Sequence, residues 1–498
     1  MITVRNGGLA DLWITRRALL VYLAAVTFVF AAKGLALVPG YAFDDYTGTY
    51  ADQPLAFYLS QGRYTQAVLQ WLLTQTGLST TDVAWPTTLA CLLILAAIAT
   101  QITLKIAKPE TPFFLILPCL GIICAHPYFT EYFTFRQALY NACFYLAFTW
   151  LHLRDASRID SSRSLLDSQN RRPLFQSILW LLLAIGGNQI TAAIAASAAY
   201  ATTLTEDQFS IASWKQKTIL LLRALAPTVV ALAMYLLLYK SIKLLFPTIV
   251  DPRGNILALQ DIPSRLQALV SLAAKVVWRG EPTLSVAAKL MLAVGLVPLL
   301  SAGLLQQREP MLFWCVGLLG LAGLAILPLS LSAVWWPVPR ALSALGFVTG
   351  AMAAALLAIS GVNKPAYAAP WLIAAVLMAL SSTAMLHQQM RLNRWDLNKA
   401  LLITHDIQVR FGQTPAKHIA LSGANFAFPR QLTTTDGDLN ASAFVHFRSL
   451  GGLLSEASGD NIIVDDVPTI AASECRNHGH WPQGDAILET PERIYVCL

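Results

Sequence analysis

Runs of roughly 20 apolar residues recur along most of this chain, and each is long enough, at about 1.5 Å per residue, to cross the hydrocarbon core of a bilayer. The first covers residues 18–39. Others follow at about 83–106, 112–125, 135–153, 217–245, 284–304, 311–331, 341–360 and 366–387. Between residues 173 and 204 the apolar signal lasts about twice one crossing and is broken by Gly186-Gly187-Asn188-Gln189. That pattern reads as two short helices meeting at the break, because bare backbone in hydrocarbon is tolerated only where protein or a water cavity covers it. The total is about eleven crossings. With 56% hydrophobic residues, 13% charged residues and mean hydropathy +0.54, the chain is expected to be a mainly α, polytopic membrane protein rather than a soluble enzyme. Its net charge of +7 suits loops lying against anionic membrane lipids, and nothing beside it points to nucleic acid.

Charge also orients the spans. The segment ending at Arg16-Arg17 carries three arginines and one Asp, and the loop 154–172 holds five arginines against three Asp, so both read as cytoplasmic. Alternation then brings four segments to the opposite face: the stretch after the first span, residues 126–136, the 186–189 break, and Ser332 through Arg340. The first external segment, 41–82, is too polar to span. Its Tyr64, Val68, Trp71, Leu72 and Gln75 fall at helical spacing, with an apolar stripe suited to lying in the interface plane, and residues 266–278 form a similar segment. Residues 388–498 lose hydropathy and carry β-like runs at 417–421, 461–464 and 493–497. A small α+β extramembrane domain is expected there, with the membrane domain ending at residue 387. Cys475 and Cys497 lie in this tail and are a candidate disulfide in an oxidising compartment.

Asp44 and Asp45, just past the first span, head the candidate site residues. The external segments add Arg63, Arg136 and Arg340, together with Tyr46, His126, Glu131, Gln189, Trp335 and Trp336. A guanidinium fork suits a lipid phosphate, and aromatic rings suit the C–H face of a sugar. A carboxylate above them can take a proton from an attacking hydroxyl, or the acidic pair can hold Mg²⁺ or Mn²⁺. Plainer uses exist for each: a solvated Asp pair, Arg340 as a snorkelling anchor, Trp335-Trp336 as an interfacial belt, His126 as a loop residue.

Phe43-Asp44-Asp45, Gly62-Arg63 about eighteen residues on, Phe135-Arg136-Gln137, the Asn188-Gln189 break and Arg340 before a late span together resemble the GT-C glycosyltransferases. Within them the chain is similar to the serotype-converting O-antigen glucosyltransferases (Gtr) of bacteria. The resemblance implies an inverting transfer from undecaprenyl-phosphate-linked glucose to a hydroxyl of a lipid-linked or polymeric glycan, on the periplasmic side of the inner membrane. It further implies Asp45 as the favoured base, with Asp44 orienting it or binding metal, and Arg63, Arg136 and Arg340 as phosphate ligands. Glu131 is a second acidic candidate. The competing readings are a flippase or transporter of lipid-linked sugars and a nonenzymatic part of a polysaccharide assembly complex. A transporter, however, calls for intramembrane charges and internal repeats that the sequence does not display.

Overall fold

The computed structural model describes residues 16–38, 40–50, 55–160, 163–246, 255, 257–279, 283–306, 308–360, 364–412, 418–421, 441–444, 447–459, 462–464 and 474–498. Arg5 and the first residue of each of the 417–421 and 461–464 runs lie outside them. Helix α1 (Arg16–Lys33) continues as a 3-10 turn (Gly34–Leu37) and is followed by α2 (Phe43–Tyr50), a single turn-and-a-half (Leu55–Ser60) and α3 (Tyr64–Gln75). Then come α4 (Ala84–Ile106), α5 (Phe113–Ala125), α6 (Arg136–Ala156), α7 (Ser168–Gly187), α8 (Ile190–Thr205) and α9 (Trp214–Leu245). The rest of the bundle is α10 (Ile262–Ala274), α11 (Val286–Gln306), α12 (Arg308–Leu331), α13 (Ala344–Ser360) and α14 (Pro365–Phe411).

Among the described residues, eight helical segments are long and apolar enough to cross a membrane. Of the other three expected crossings, α6 and α7 have 21 and 20 residues but more polar sequences, and α8 has only 16. All three are wrapped by neighbours: α6 packs on α4 and α7, and α8 on α9, α12 and α13. Burial divides the bundle. The windows of α13 and of the α5 segment are 83% buried, whereas those of α9, α11 and α12 present most of their leucines and valines outward, as lipid-facing helices do. Small residues allow the central approach, as where Gly121 meets Ala375 and Phe28 and Gly350 meets Ile123.

The region 126–136 differs from the loop expected from the sequence. It folds as one turn of helix (Pro127–Thr130) and a 3-10 turn (Glu131–Thr134), and every residue from His126 to Arg136 is buried. Five aromatic rings in eleven positions explain this, since exposing Tyr128, Phe129, Tyr132, Phe133 and Phe135 would waste a large apolar area. In the two segments expected to lie in the interface, Val68, Trp71 and Leu72 on α3 and Leu266 and Val270 on α10 are exposed.

The boundary expected at 387 falls inside α14, which runs unbroken for 47 residues out of the bundle. Its far end supports β1 (His418–Leu421), α15 (Phe447–Ser458), β2 (Ile487–Glu489) and β3 (Arg493–Val496). The sheet order is β1-β3-β2, with β1 parallel and β2 antiparallel to β3. Cys475 and Cys497 form the expected disulfide. This region shares one apolar core with the membrane part: Ala42, Phe43, Tyr46 and Phe135 pack with Ile403, Ile407, Leu453 and Leu454. The C-terminal region is therefore seated on the segment that carries the acidic pair.

Candidate active site

Helix direction alternates along the bundle, so the exits of α1, α5, α7, α9 and α12 gather at one end. Direct contacts join them there. Asp45 occupies the third position of α2, where a side chain can reach back to the N-cap, and its Oδ2 accepts from the Ala42 N–H at 2.9 Å. Its Oδ1 accepts from the Gln137 N–H at 2.9 Å, at the start of α6. The side chain is fully buried, which pushes its carboxyl up to about 7 against the pull of the Gln137, Arg136 and Ala42 N–H groups and the Arg136 charge. Asp45 thus ties two helix N-termini together. Asp44 lies one residue back, about 100° around the helix, and is half-buried.

Arg136 is buried at the start of α6. Its Nε donates to the Gly40 carbonyl at 3.1 Å and its Nη2 to the Val38 carbonyl, so the fork fastens α6 to the chain leaving α1. Arg340 is held by Glu131, which is fully buried: its Nη1 donates to Oε1 at 2.6 Å and its backbone N–H to Oε2 at 2.5 Å. The guanidinium lies 4.7 Å from the Phe135 ring centre and 4.4 Å from that of Trp336. Trp335 stacks instead on Arg265, whose guanidinium caps the last carbonyls of α12 at Leu329, Ser332 and Ala333. Nothing in the sequence pattern singled out Arg265.

Arg63 stands at the start of α3, after a turn in which Gly62 adopts φ +74°, a conformation available to glycine without cost. The turn is clamped from two sides. Gln189 Nε2 donates to the Gln61 carbonyl at 3.0 Å and to the Tyr235 hydroxyl at 2.9 Å, while the Tyr239 hydroxyl donates to the Ser60 carbonyl at 3.0 Å. Asn188, at the break between α7 and α8, donates to the Tyr132 hydroxyl at 2.6 Å. Burial raises the Tyr58 hydroxyl to about 12, while Arg63 pulls it down and Asp44 pushes it up.

Four buried polar atoms beside this turn have no protein partner: Thr65 Oγ1, Gln66 Oε1, Asn141 Oδ1 and the Tyr145 hydroxyl. Thr65 adjoins Gly186, and Asn141 and Tyr145 adjoin Gly187, so these three surround the helix break, with Gln66 next to Thr65 on α3. Sequence reading found the break and Arg63 but missed these, because the signal is one face of α6, residues 141 and 145, inside what reads as an ordinary span.

Other expected contacts are spent on structure. The Tyr46 hydroxyl is buried and accepts from Asn393 Nδ2 at 2.6 Å, fixing α2 to α14. The ring of buried His126 caps the following turn through Nδ1 and the Tyr128 N–H. Lys33, also buried, donates from Nζ to the Cys124 carbonyl at 2.6 Å at the end of α5. In the acidic pair, both Asp45 oxygens face N–H donors. Among the described residues no three His, Cys, Asp or Glu side chains gather as a metal site would require.

A search of curated protein sequences returns no match. Among solved structures, the chain is similar to a crystal structure of the Archaeoglobus fulgidus oligosaccharyltransferase tethered with an acceptor peptide containing the NVT sequon. The identity is 12% and the TM-score 0.40, over 83% of this chain and 62% of that one, so the chain spans less than two thirds of that protein's length. The family model described as glucosyl transferase GtrII matches residues 38–359, from the exit of α1 through Asp44, Arg63, Asn188 and Arg340 to the end of α13, and the chain belongs to that family.

Proposed function

We propose that this protein is an inverting membrane glycosyltransferase that moves a sugar, glucose by family, from a polyprenyl-phosphate donor to a hydroxyl of O-antigen or another cell-surface glycan. The observation that supports the reading best is the family match over residues 38–359, which takes in Asp44, Arg63 and the helix break beside which buried polar atoms lie unpartnered. In this scheme the acceptor oxygen attacks the anomeric carbon and its proton passes to the Asp44 carboxylate. The bond from that carbon to the donor phosphate breaks, its electron pair leaves with the lipid phosphate, and Arg63 stabilises the departing charge. A single displacement inverts the anomeric centre. Asp45 and Arg136 position α2 and α6 rather than touch substrate. Asn141 and Tyr145 supply hydrogen bonds to the sugar.

Asp44 replaces Asp45 as the base in this scheme because a base needs access: Asp44 is half-buried, whereas Asp45 is enclosed with both oxygens bound by N–H groups. The site end is the external one in this reading: Arg16, Arg17, Lys105, Lys108, Arg154 and Arg158 all lie toward the opposite end, which the positive-inside rule assigns to the cytoplasm. In a bacterial inner membrane the site and the disulfide-bearing C-terminal region would then face the periplasm. Membranes supplied with polyprenyl-phosphate-glucose and acceptor glycan should yield glycosylated product and free polyprenyl phosphate in equal amounts, with the anomeric configuration inverted. Movement of donor across vesicles without acceptor or product would refute the proposal in favour of a flippase.

A further inference from the structure

The opposite end of the bundle contains a cleft that the proposed transfer does not use. It lies between α4, α6, α8 and α9 and has a volume of about 130 Å³. From Arg136 to His152 along α6 is sixteen residues, or about 24 Å at helical rise, so the cleft is far from Asp45. Its walls are apolar, with Ile102, Leu153 and Leu220 among them. Three cations line it: Lys105, Arg163 and Arg223. Glu206 lines it too, and Arg163 pairs with Asp160 at 3.1 Å, so these five groups leave one positive charge in excess.

A second observation points to an occupant. Gln101 also lines the cleft, is only 5% exposed, and neither Oε1 nor Nε2 has a partner in the protein. An amide buried without partners is costly, and such groups are found satisfied by water or ligand. The amide offers two N–H donors and a carbonyl acceptor, which suits an anionic oxygen beside a hydroxyl or water. Next to the cleft, Leu222 is 64% exposed on the outer, lipid-facing side of α9, and Arg223 follows it directly.

We propose that this cleft binds a phosphate ester carried on a membrane-embedded hydrocarbon chain. The cations and Gln101 take the head and the apolar wall takes the first part of the tail. Basic pockets between membrane helices recognise anionic lipid heads by this combination. Two lipids supply such chemistry, an anionic glycerophospholipid of the surrounding leaflet and a polyprenyl phosphate.

The full-length protein, delipidated and placed in phosphatidylcholine nanodiscs, can be titrated with phosphatidylglycerol in one arm and polyprenyl phosphate in another, with bound lipid counted by native mass spectrometry. One or both probes should bind in preference to phosphatidylcholine, and the preferred arm identifies the source. Arg223→Gln should weaken that binding about 5-fold, the effect of one surface cation near an anionic head. Gln101→Leu should weaken it as well. Arg223 is exposed, so its replacement keeps the test decisive even if Gln101→Leu fails to fold. No preference for either probe, or a preference unchanged in Arg223→Gln, would overturn the proposal.

Discussion

Replacing Glu131 by Gln tests whether the loops at the site end form one closed structure. The Glu131 side chain is fully buried and that of Arg340 only 17% exposed, and they meet at 2.6 Å, with a second bond from the Arg340 N–H. An exposed pair of this kind contributes under about 1 kcal/mol, whereas removing one partner of a buried pair costs about 3–5 kcal/mol because the other charge is left uncompensated. Glu131→Gln keeps the shape and one acceptor but strands the guanidinium between Phe135 and Trp336, so a loss of about 3 kcal/mol is expected. Arg340→Met, which preserves packing between the rings, should lose a similar amount by stranding the carboxylate. The double variant should lose clearly less than the sum, by about 2 kcal/mol or more. Reversible unfolding in mild detergent titrated with dodecyl sulfate supplies the four values. Single losses below about 0.5 kcal/mol that add without coupling would refute the reasoning and place the pair at a solvated rim.

Gly62→Ala should abolish most transfer activity while leaving the chain inserted, because φ +74° disfavours a side chain and its methyl would strike the Tyr235 hydroxyl, displacing Arg63; unchanged turnover in membranes would contradict the clamp. Asp45 predicts a pH effect on stability. Its folded value near 7 lies above the ordinary 3.8, so the folded state holds the proton more tightly. The resulting stabilisation is complete below the unfolded value and is lost as pH rises through about 7, roughly 4 kcal/mol in all for about three units at 1.36 each. Melting temperatures between pH 5 and 8 should therefore fall in the wild type more steeply than in Asp45→Asn, and parallel curves would sink this assignment.

Much of the membrane part was legible because its signal is local. Apolar runs fix helix positions, and Gly186-Gly187-Asn188-Gln189 marked the break between α7 and α8 with no knowledge of what covers it. Arg63, Glu131 and Arg340 were identified from position alone, since charged residues at span ends fall at whichever end alternation dictates. What each side chain does was not legible. Arg63 and Arg136 look alike in sequence, yet the Arg136 fork is filled by carbonyls from Val38 and Gly40, about 96 residues away. The same holds for the acidic pair: capping geometry at the start of α2 turns Asp45 inward, while Asp44 is half-buried. No helix end marks the expected boundary at 387, because hydropathy drops there while helix propensity does not. Residues 388–411 contain no Gly or Pro to stop α14, and Asn393 and Asp396 on it bind Tyr46 and the Ser442-Ala443 segment.

The central claim is that the accessible carboxylate, Asp44, carries the proton transfer while its enclosed neighbour only holds the fold. Initial rates of glucosyl transfer by Asp44→Asn and Asp45→Asn, each normalised to folded protein, separate the two most directly. Loss of a general base predicts a fall of about 10²- to 10⁴-fold for Asp44→Asn with correct folding, and for Asp45→Asn a rate per folded molecule close to wild type alongside altered stability. Near-normal turnover in Asp44→Asn, with the large loss appearing in well-folded Asp45→Asn, would contradict the account.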